Sequence, residues 1–247
     1  MTPARVVSVD LAYKRTRDIG VCVLTRSARG IDAEFVPLAS DEHEDPPSPA
    51  WVARACARVA RESRAHLLLI DGPQAWKDCA NGLAHARVCE HALHTPAKTG
   101  EPGSVKPRPY RAFVAFSIAV FDALHALGWP RLESTRAPRG RRALEVFPHA
   151  AWRRLGLTPL PAKAKCAPPQ LAACALALRE AQRVRTNRAP SHDELQALVA
   201  GIAGLSLLER DDSAYELLGQ PPSLIDDHWR EGFILMPTTT APQNATR

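Results

Sequence analysis

Apolar runs mark the strands of this chain. Residues 5–13 and 19–25 are rich in β-branched residues and are joined by a short polar segment, a pattern that predicts a hairpin. Residues 66–71 form a nearly continuous apolar run, typical of a strand buried on both faces. The other predicted strands are residues 31–38, 142–147 and 232–236.

Apolar residues spaced three or four positions apart predict the helices. Gly128 is a suitable C-cap for one of them and Pro130 a suitable stop, while Ser191 and Glu194 form a capping box at the start of another. The predicted helices are residues 49–63, a short piece within 79–93, then 110–127, 150–155, 171–184 and 191–208.

The order of these elements predicts an α/β fold. A meander of three strands followed by alternating helices and strands gives a mixed sheet, whose later strands are parallel and whose faces both carry helices. Residues 1–236 are expected to form a single domain, with a long loop and helix insertion at about 72–109 and a flexible tail at 237–247. A loop of that length is usually functional or mobile.

Composition narrows the class of protein. The chain has 247 residues, of which 45% are hydrophobic, so it can bury a sizeable core. Its longest apolar run, residues 112–121, is half the length that a membrane-spanning helix needs. The six cysteines show no paired spacing and the N-terminus has no signal-peptide pattern, so a cytoplasmic protein without a membrane anchor is expected.

The chain carries a formal charge of +6, and arginine supplies most of the positive charge. Guanidinium groups bind phosphates in a bidentate manner, so this balance permits a nucleic-acid partner without demonstrating one.

Four carboxylates occupy positions beside or within buried elements, where a negative charge is unfavourable unless it has a partner or a function. Asp10 and Asp71 end two strands, Glu145 lies within a third, and Asp193 opens the last long helix. Because strand ends converge at one edge of such a sheet, these carboxylates would repel one another unless a cation neutralised them. Oxygen ligands favour Mg²⁺ or Mn²⁺, and two such ions can clamp a phosphodiester.

Each carboxylate also has a structural interpretation. Asp10 and Asp71 are suitable turn acceptors, and Asp193 is favoured by the helix dipole alone. The partners available to Glu145 in its own segment are Arg139, Arg141 and Arg142.

The chain resembles a domain-of-unknown-function family of predicted ribonuclease-H-like nucleases. The resemblance follows the family order over nearly the whole chain, although each motif is short. The matching pieces are Val7-Ser-Val-Asp-Leu-Ala12, Ile70-Asp-Gly-Pro-Gln74, Arg87-Val-Cys-Glu90, Glu145-Val-Phe-Pro148, Ser191-His-Asp-Glu-Leu-Gln-Ala-Leu-Val199 and Glu231-Gly-Phe-Ile-Leu-Met-Pro237.

The resemblance implies a ribonuclease-H-like fold with the four carboxylates at its acidic site. Asp10 would bridge two Mg²⁺ or Mn²⁺ ions, Asp71 and Glu145 would hold one of them, and Asp193 the other. Basic residues that would position the phosphate backbone of DNA or RNA are Lys14, Arg15, Arg17 and Arg142. The chain departs from the family at Gln196, where a second aspartate is common, so the metal site is weakened or the activity is lost.

Three alternatives remain open at this point. A weakened or inactive module that acts as a nucleic-acid or protein adaptor fits Gln196 and the modest charge. A phosphotransferase of the related actin-like fold would need a glycine-rich turn after Asp10, which is absent. A zinc site would draw on residues without the usual paired spacing, namely Cys79, His85, Cys89, His91 and His94.

Overall fold

The computed structural model describes residues 3–38 and 44–239, and all elements below lie within them. The strands are β1 (Arg5–Asp10), β2 (Gly20–Ser27), β3 (Gly30–Phe35), β4 (Leu67–Asp71), β5 (Lys98–Thr99), β6 (Val105–Lys106), β7 (Arg142–Val146), β8 (Val184–Thr186), β9 (Tyr215–Ile225) and β10 (His228–Pro237). The helices are α1 (Pro49–Glu62), α2 (Val88–Leu93), α3 (Arg111–Ala126), α4 (Pro148–Arg154), α5 (Pro168–Gln182) and α6 (His192–Glu209). Short 3-10 turns occur at Thr16–Asp18, Cys79–Asn81, Arg108–Tyr110 and Lys163–Lys165.

Eight strands form one sheet in the order β8-β3-β2-β1-β4-β7-β10-β9. The first three strands pair antiparallel as a meander, and β4, β7 and β10 extend the sheet on the other side of β1 as parallel strands. This arrangement is that of the ribonuclease-H-like fold, so the predicted fold class is confirmed. None of the helices in the described residues is long and apolar enough to cross a membrane.

Each face of the sheet carries its own apolar core, because side chains alternate along a strand. Val7 and Val9 of β1 pack with α1 and α3 on one face, whereas Val6 packs with α6 on the other. The helix α6 is buried along most of its length, since the sheet covers one side and α4 and α5 cover others. Burial of each large apolar side chain stabilises the fold by about 1.5–3 kcal/mol.

The strand β9 is absent from the sequence prediction. Its run contains Pro221 and Pro222, which cannot donate to a ladder and therefore argue against a strand. In the structure β9 is an edge strand, where proline is tolerated, and it pairs antiparallel along the whole of β10. For the same reason β10 is longer than the predicted residues 232–236.

The insertion also differs from its prediction. A 3-10 turn at Cys79–Asn81 and the short helix α2 replace the helical piece expected within residues 79–93. Gly82 ends the turn in the left-handed region, with φ of +76°, and so separates the two elements. The small hairpin β5–β6 and the three-residue strand β8 were also not predicted. Of the expected tail, Pro237 belongs to β10 and residues 240–247 lie outside the described residues.

A β-bulge interrupts the β9–β10 ladder at Glu231, where two residues of β9, Pro221 and Pro222, lie opposite this one residue of β10. Glu231 takes a positive φ of +59°. Its carboxylate accepts from the backbone N–H groups of Asp78 (3.1 Å) and Val88 (2.9 Å), which belong to the insertion. Glu231 therefore anchors the insertion to β10.

The first turn of α6 is seated directly against Gly20, the first residue of β2. A Cβ atom at this glycine would lie 2.2 Å from the backbone carbonyl carbon of Asp193. Gly20 is also the register partner of Asp10 across the hairpin. Because Gly20 has no side chain, the first turn of α6 can approach the sheet closely, and Asp193 comes to lie beside the end of β1.

We expect Gly20→Ala to lower the stability by about 1–3 kcal/mol, because the clashing atoms belong to the backbone and cannot rotate away. For a chain of this size that corresponds to a Tm lower by about 3–10 °C in thermal unfolding. The matched control is Gly140→Ala, whose added methyl group meets nothing closer than the Arg142 guanidinium at 3.8 Å. Equal Tm values for the two variants would contradict this account of the packing.

Candidate active site

Two aspartates face each other at the carboxyl ends of adjacent parallel strands. Asp10 is the last residue of β1, Asp71 is the last residue of β4, and the two are register partners. Their side chains are half-buried and lie close enough to share a hydrogen bond when one carboxyl group is protonated. The sequence prediction that strand ends would bring these two carboxylates together agrees with this geometry.

The surroundings oppose ionisation of this pair. Burial raises the pKa of Asp71 to about 7. Burial also raises the pKa of Asp10 well above its ordinary value, and the neighbouring charges of Asp71 and Asp193 raise it further. The pair therefore retains a proton near neutral pH unless a cation is supplied.

Asp193 reaches this edge from the start of α6. The predicted capping box is confirmed: Ser191 Oγ accepts from the Glu194 N–H, and the Glu194 carboxylate accepts from the Ser191 N–H at 2.8 Å. This arrangement leaves the Asp193 carboxylate free for other partners, and one of its oxygens accepts from the ammonium of Lys163. Lys163 also donates to Asp18 at 2.8 Å, so one ammonium bridges two carboxylates beside Asp10.

Glu145 is engaged by a buried arginine. Its two carboxylate oxygens accept from the Arg87 guanidinium at 2.7 and 2.8 Å, and one of them also accepts from the Gln74 N–H at 2.9 Å. Arg87 is fully buried and also contacts Glu90 at 3.0 Å. The partner of Glu145 is therefore Arg87 of the insertion, and not Arg139, Arg141 or Arg142, which lie near Glu145 in the sequence. Glu145 lies on β7 opposite Ile70, one residue before the strand end, with its charge already compensated.

Gln196, which replaces the aspartate common in the resembled family, accepts a hydrogen bond from the indole N–H of Trp152 at 2.8 Å. Trp152 is fully buried, so this bond satisfies a donor that would otherwise lack a partner. The amide therefore has a packing role at this position.

The described residues contain no group of three His, Cys, Asp or Glu side chains close enough to hold a metal ion. The five cysteines and histidines considered for a zinc site do not form such a group either. The ends of β1 and β4 form an acidic edge, which consists of the carboxyl groups of Asp10 and Asp71 with Asp193 beside them. Asp193 is held there by Lys163. Oxygen donors of this kind fit a hard divalent cation such as Mg²⁺ or Mn²⁺.

Three of the predicted phosphate-binding residues lie at this edge. Lys14, Arg15 and Arg17 are exposed in the connection that follows Asp10. Arg15 pairs with Asp18 at 2.6 Å, and Lys14 lies 5.5 Å from the centre of the Tyr13 ring. Arg142 is elsewhere: it begins β7 opposite Leu67, four residues and about 13 Å from the strand end.

Sequence reasoning did not find the roles of Arg87 and Lys163. Arg87 stands in a motif that the resemblance quoted, but nothing in the sequence shows that the insertion folds back onto β7. Lys163 lies in an exposed 3-10 turn, and its contact with Asp193 depends entirely on how the chain after α4 returns to the start of α6.

No family model matches the chain, and no curated protein sequence matches it. Among solved structures, RuvC of Thermus thermophilus is similar at 16% identity and a TM-score of 0.40, over 88% of this chain and 99% of that one. RuvC of the same organism in complex with Holliday junction substrate is similar at 17% identity and a TM-score of 0.38, with the same coverage. The fold assignment rests on the strand order described above.

We expect Arg87→Met to lower the stability by about 3–5 kcal/mol, because it leaves the buried Glu145 and Glu90 carboxylates without a counter-charge. The Tm would fall by about 10 °C or more. The control is Arg26→Met, which breaks the partly exposed pair with Glu209 and should cost less than about 1 kcal/mol. Similar losses in the two variants would show that the buried pair is not a main structural contact.

We expect Asp10→Asn to stabilise the protein in a chelating buffer, and the gain to grow as the pH rises. The unfolded chain loses both protons near pH 4, whereas the folded pair loses the Asp71 proton only near pH 7 and holds the Asp10 proton to still higher pH. The stability of the wild type therefore falls as the pH rises from about 4 to 7 and beyond, and the part of this loss that Asp10→Asn removes is on the order of 2–4 kcal/mol between pH 5 and pH 8.

The measurement is thermal unfolding of wild type and Asp10→Asn at pH 5 and pH 8. Asp226→Asn, in the turn between β9 and β10, serves as an exposed control and should change the Tm little at either pH. A variant that is less stable than the wild type at pH 8 would show that the pair is not electrostatically strained.

Proposed function

We propose that this protein is a nuclease that hydrolyses phosphodiester bonds of nucleic acid with the help of Mg²⁺ or Mn²⁺. The observation that carries the proposal is the Asp10–Asp71 pair, two neighbouring carboxyl groups with raised pKa at the ends of adjacent parallel strands. Structural carboxylates are normally paired with a cation or a backbone N–H, as Glu145 is here. Among the described residues Asp10 and Asp71 make no ion pair of their own, although Asp193 and the Lys163 ammonium lie nearby. Such a pair is better suited to bind a cation that is taken up with the substrate.

Asp10 and Asp71 would hold the cation, which supplies positive charge for the phosphate and lowers the pKa of a water molecule. Lys163 holds Asp193 at present, and its ammonium is about half exposed. A cation at this edge would compete with Lys163 for Asp193, and the lysine could then turn to a phosphate oxygen of the substrate. The other oxygen of Asp193 lies 3.1 Å from His192 Nδ1, so this contact would hold the carboxylate in place during the exchange. Lys14, Arg15 and Arg17 follow Asp10 in the chain and would contact the neighbouring phosphates.

The number of cations follows from Glu145. A second ion of the kind that the resemblance implies would need the negative charge of Glu145, which the Arg87 guanidinium already compensates. We therefore propose that Asp10 and Asp71 hold one cation that keeps several waters, and that Asp193 joins them once its carboxylate turns from Lys163. Glu145 then serves to anchor the insertion.

The same contacts favour a second candidate. Lys163 neutralises Asp193, Arg87 neutralises Glu145, and Gln196 has replaced a ligand of the resembled family. Acidic ligands that are neutralised or replaced are expected in a module of this fold that binds nucleic acid or a protein without cleaving it. Cation binding separates the two candidates, since an adaptor needs no divalent ion.

We expect calorimetric titration of Mn²⁺ to show saturable binding in the wild type and none in Asp10→Asn. Lys163→Met should bind Mn²⁺ more tightly, by about three- to tenfold, because Asp193 loses its ammonium partner. Glu145→Gln should bind as the wild type does once its folding is checked by circular dichroism.

Cleavage of labelled single-stranded and branched DNA and RNA with Mn²⁺ is measured on the same proteins. Hydrolysis by the wild type that Asp10→Asn lacks would support the nuclease. Nucleic-acid binding without Mn²⁺ uptake or cleavage would overturn it in favour of the adaptor.

A further inference from the structure

An apolar cavity opens beside Asp71, on the side away from Asp193. Its volume is about 210 Å³, and it lies between the ends of β4 and β7, the start of α3 and the segment around Pro96. This volume is below the roughly 300 Å³ at which pockets for drug-sized ligands begin, so one ring system fits and a whole nucleotide does not.

Aromatic side chains form the walls of this cavity. Phe113 and Tyr110 line it from the start of α3, and Phe147 lines it from the end of β7. Tyr110 is among the few large hydrophobic residues that remain exposed, at 37%. Aromatic faces beside a phosphate-binding edge are the usual means by which proteins hold an unstacked base.

The inner end of the cavity offers hydrogen-bond acceptors. The carboxylates of Asp71 and Glu145 line it, and Glu145 Oε1 accepts a single hydrogen bond, from Arg87. A carboxylate oxygen has room for a second donor. Adenine, cytosine and guanine carry an exocyclic amino group that can donate, whereas thymine and uracil do not.

We infer that this cavity holds one unstacked, amino-bearing nucleobase of the substrate, next to the phosphodiester that the carboxylates receive. The inference rests on the proposed function, because the position of the cavity relative to the Asp10–Asp71 pair identifies the ligand as part of a nucleic acid. A base lodged there would fix which phosphate reaches the acidic edge. The protein would accordingly favour single-stranded or distorted nucleic acid, in which a base is released at little cost.

The test uses a short oligothymidylate that carries a single 2-aminopurine, at low ionic strength and with Ca²⁺ in place of Mn²⁺ so that a hard divalent cation is present at the acidic edge. The probe is checked after each titration to be uncut. Binding should change the 2-aminopurine fluorescence. An unlabelled oligothymidylate with one adenine should compete better than the all-thymine or single-abasic oligonucleotide.

Variants of the wall residue Tyr110 sharpen the test, because this side chain is exposed and its loss does not threaten the fold. Tyr110→Ala should weaken probe binding by about fivefold to a hundredfold, whereas Tyr110→Phe retains the ring and should bind as the wild type does. Leu224→Ala, at an exposed site on β9, is the surface control. Phe147→Leu provides a second wall variant.

The outcomes separate this inference from the proposed function. Equal competition by the adenine and abasic oligonucleotides, or equal probe binding by Tyr110→Ala and wild type, would overturn the pocket even if the protein cleaves with Mn²⁺. A wild type that binds the probe through Tyr110 but cleaves nothing would support the pocket and overturn the nuclease.

Discussion

The contact on which the functional face depends is the buried ion pair between Arg87 and Glu145. It fastens the insertion, which has little regular structure of its own, to the central strand β7. Glu145 also accepts from the Gln74 N–H, while Arg131 donates to the Gln74 carbonyl oxygen at 2.7 Å, so the chain just after Asp71 is held from both sides. Once these contacts form, the segment around Pro96 and the start of α3 complete the cavity beside Asp71. Glu145, which the sequence predicts as a metal ligand, thus has both oxygens bound by Arg87, and under the proposed function the chemistry would fall to the neighbouring aspartates.

Electrostatics distinguishes the two kinds of carboxylate at this edge. Burial raises the pKa of Glu145, and its bidentate guanidinium partner Arg87 opposes that rise. Burial is also the main cause that raises the pKa of Asp10 and of Asp71, and the charges of Asp71 and Asp193 raise that of Asp10 further. Asp193 stands between these cases, since its partner Lys163 lies in an exposed turn and has a second acceptor in Asp18. A site of this kind brings together negative charges that a divalent cation would compensate, and this compensation is a source of binding free energy.

The sequence was most informative where local pattern determines structure. The apolar and β-branched runs of β1 to β4 predicted the meander and the parallel strand beside it, and so predicted that Asp10 and Asp71 would meet. The capping box at Ser191 likewise predicted the start of α6. Contacts between residues that are far apart in the sequence could not be predicted in this way. Arg87 and Glu145 are 58 positions apart, and Lys163 and Asp193 are 30 positions apart. β9 was not predicted for a different reason. Its two prolines argue against a strand, and only the knowledge that it lies at the edge of the sheet would remove that objection.

Those prolines have a consequence for the behaviour of the protein in solution. An outermost strand presents unpaired backbone groups to any other chain, and a long regular one is a template for aggregation. Pro221 and Pro222 remove two N–H donors from the eleven-residue β9, and the bulge at Glu231 lies opposite them. At the other end of the sheet, β8 offers only three residues. Both margins of the eight-stranded sheet therefore resist the addition of a further strand, which protects a large sheet from self-association while the chain folds.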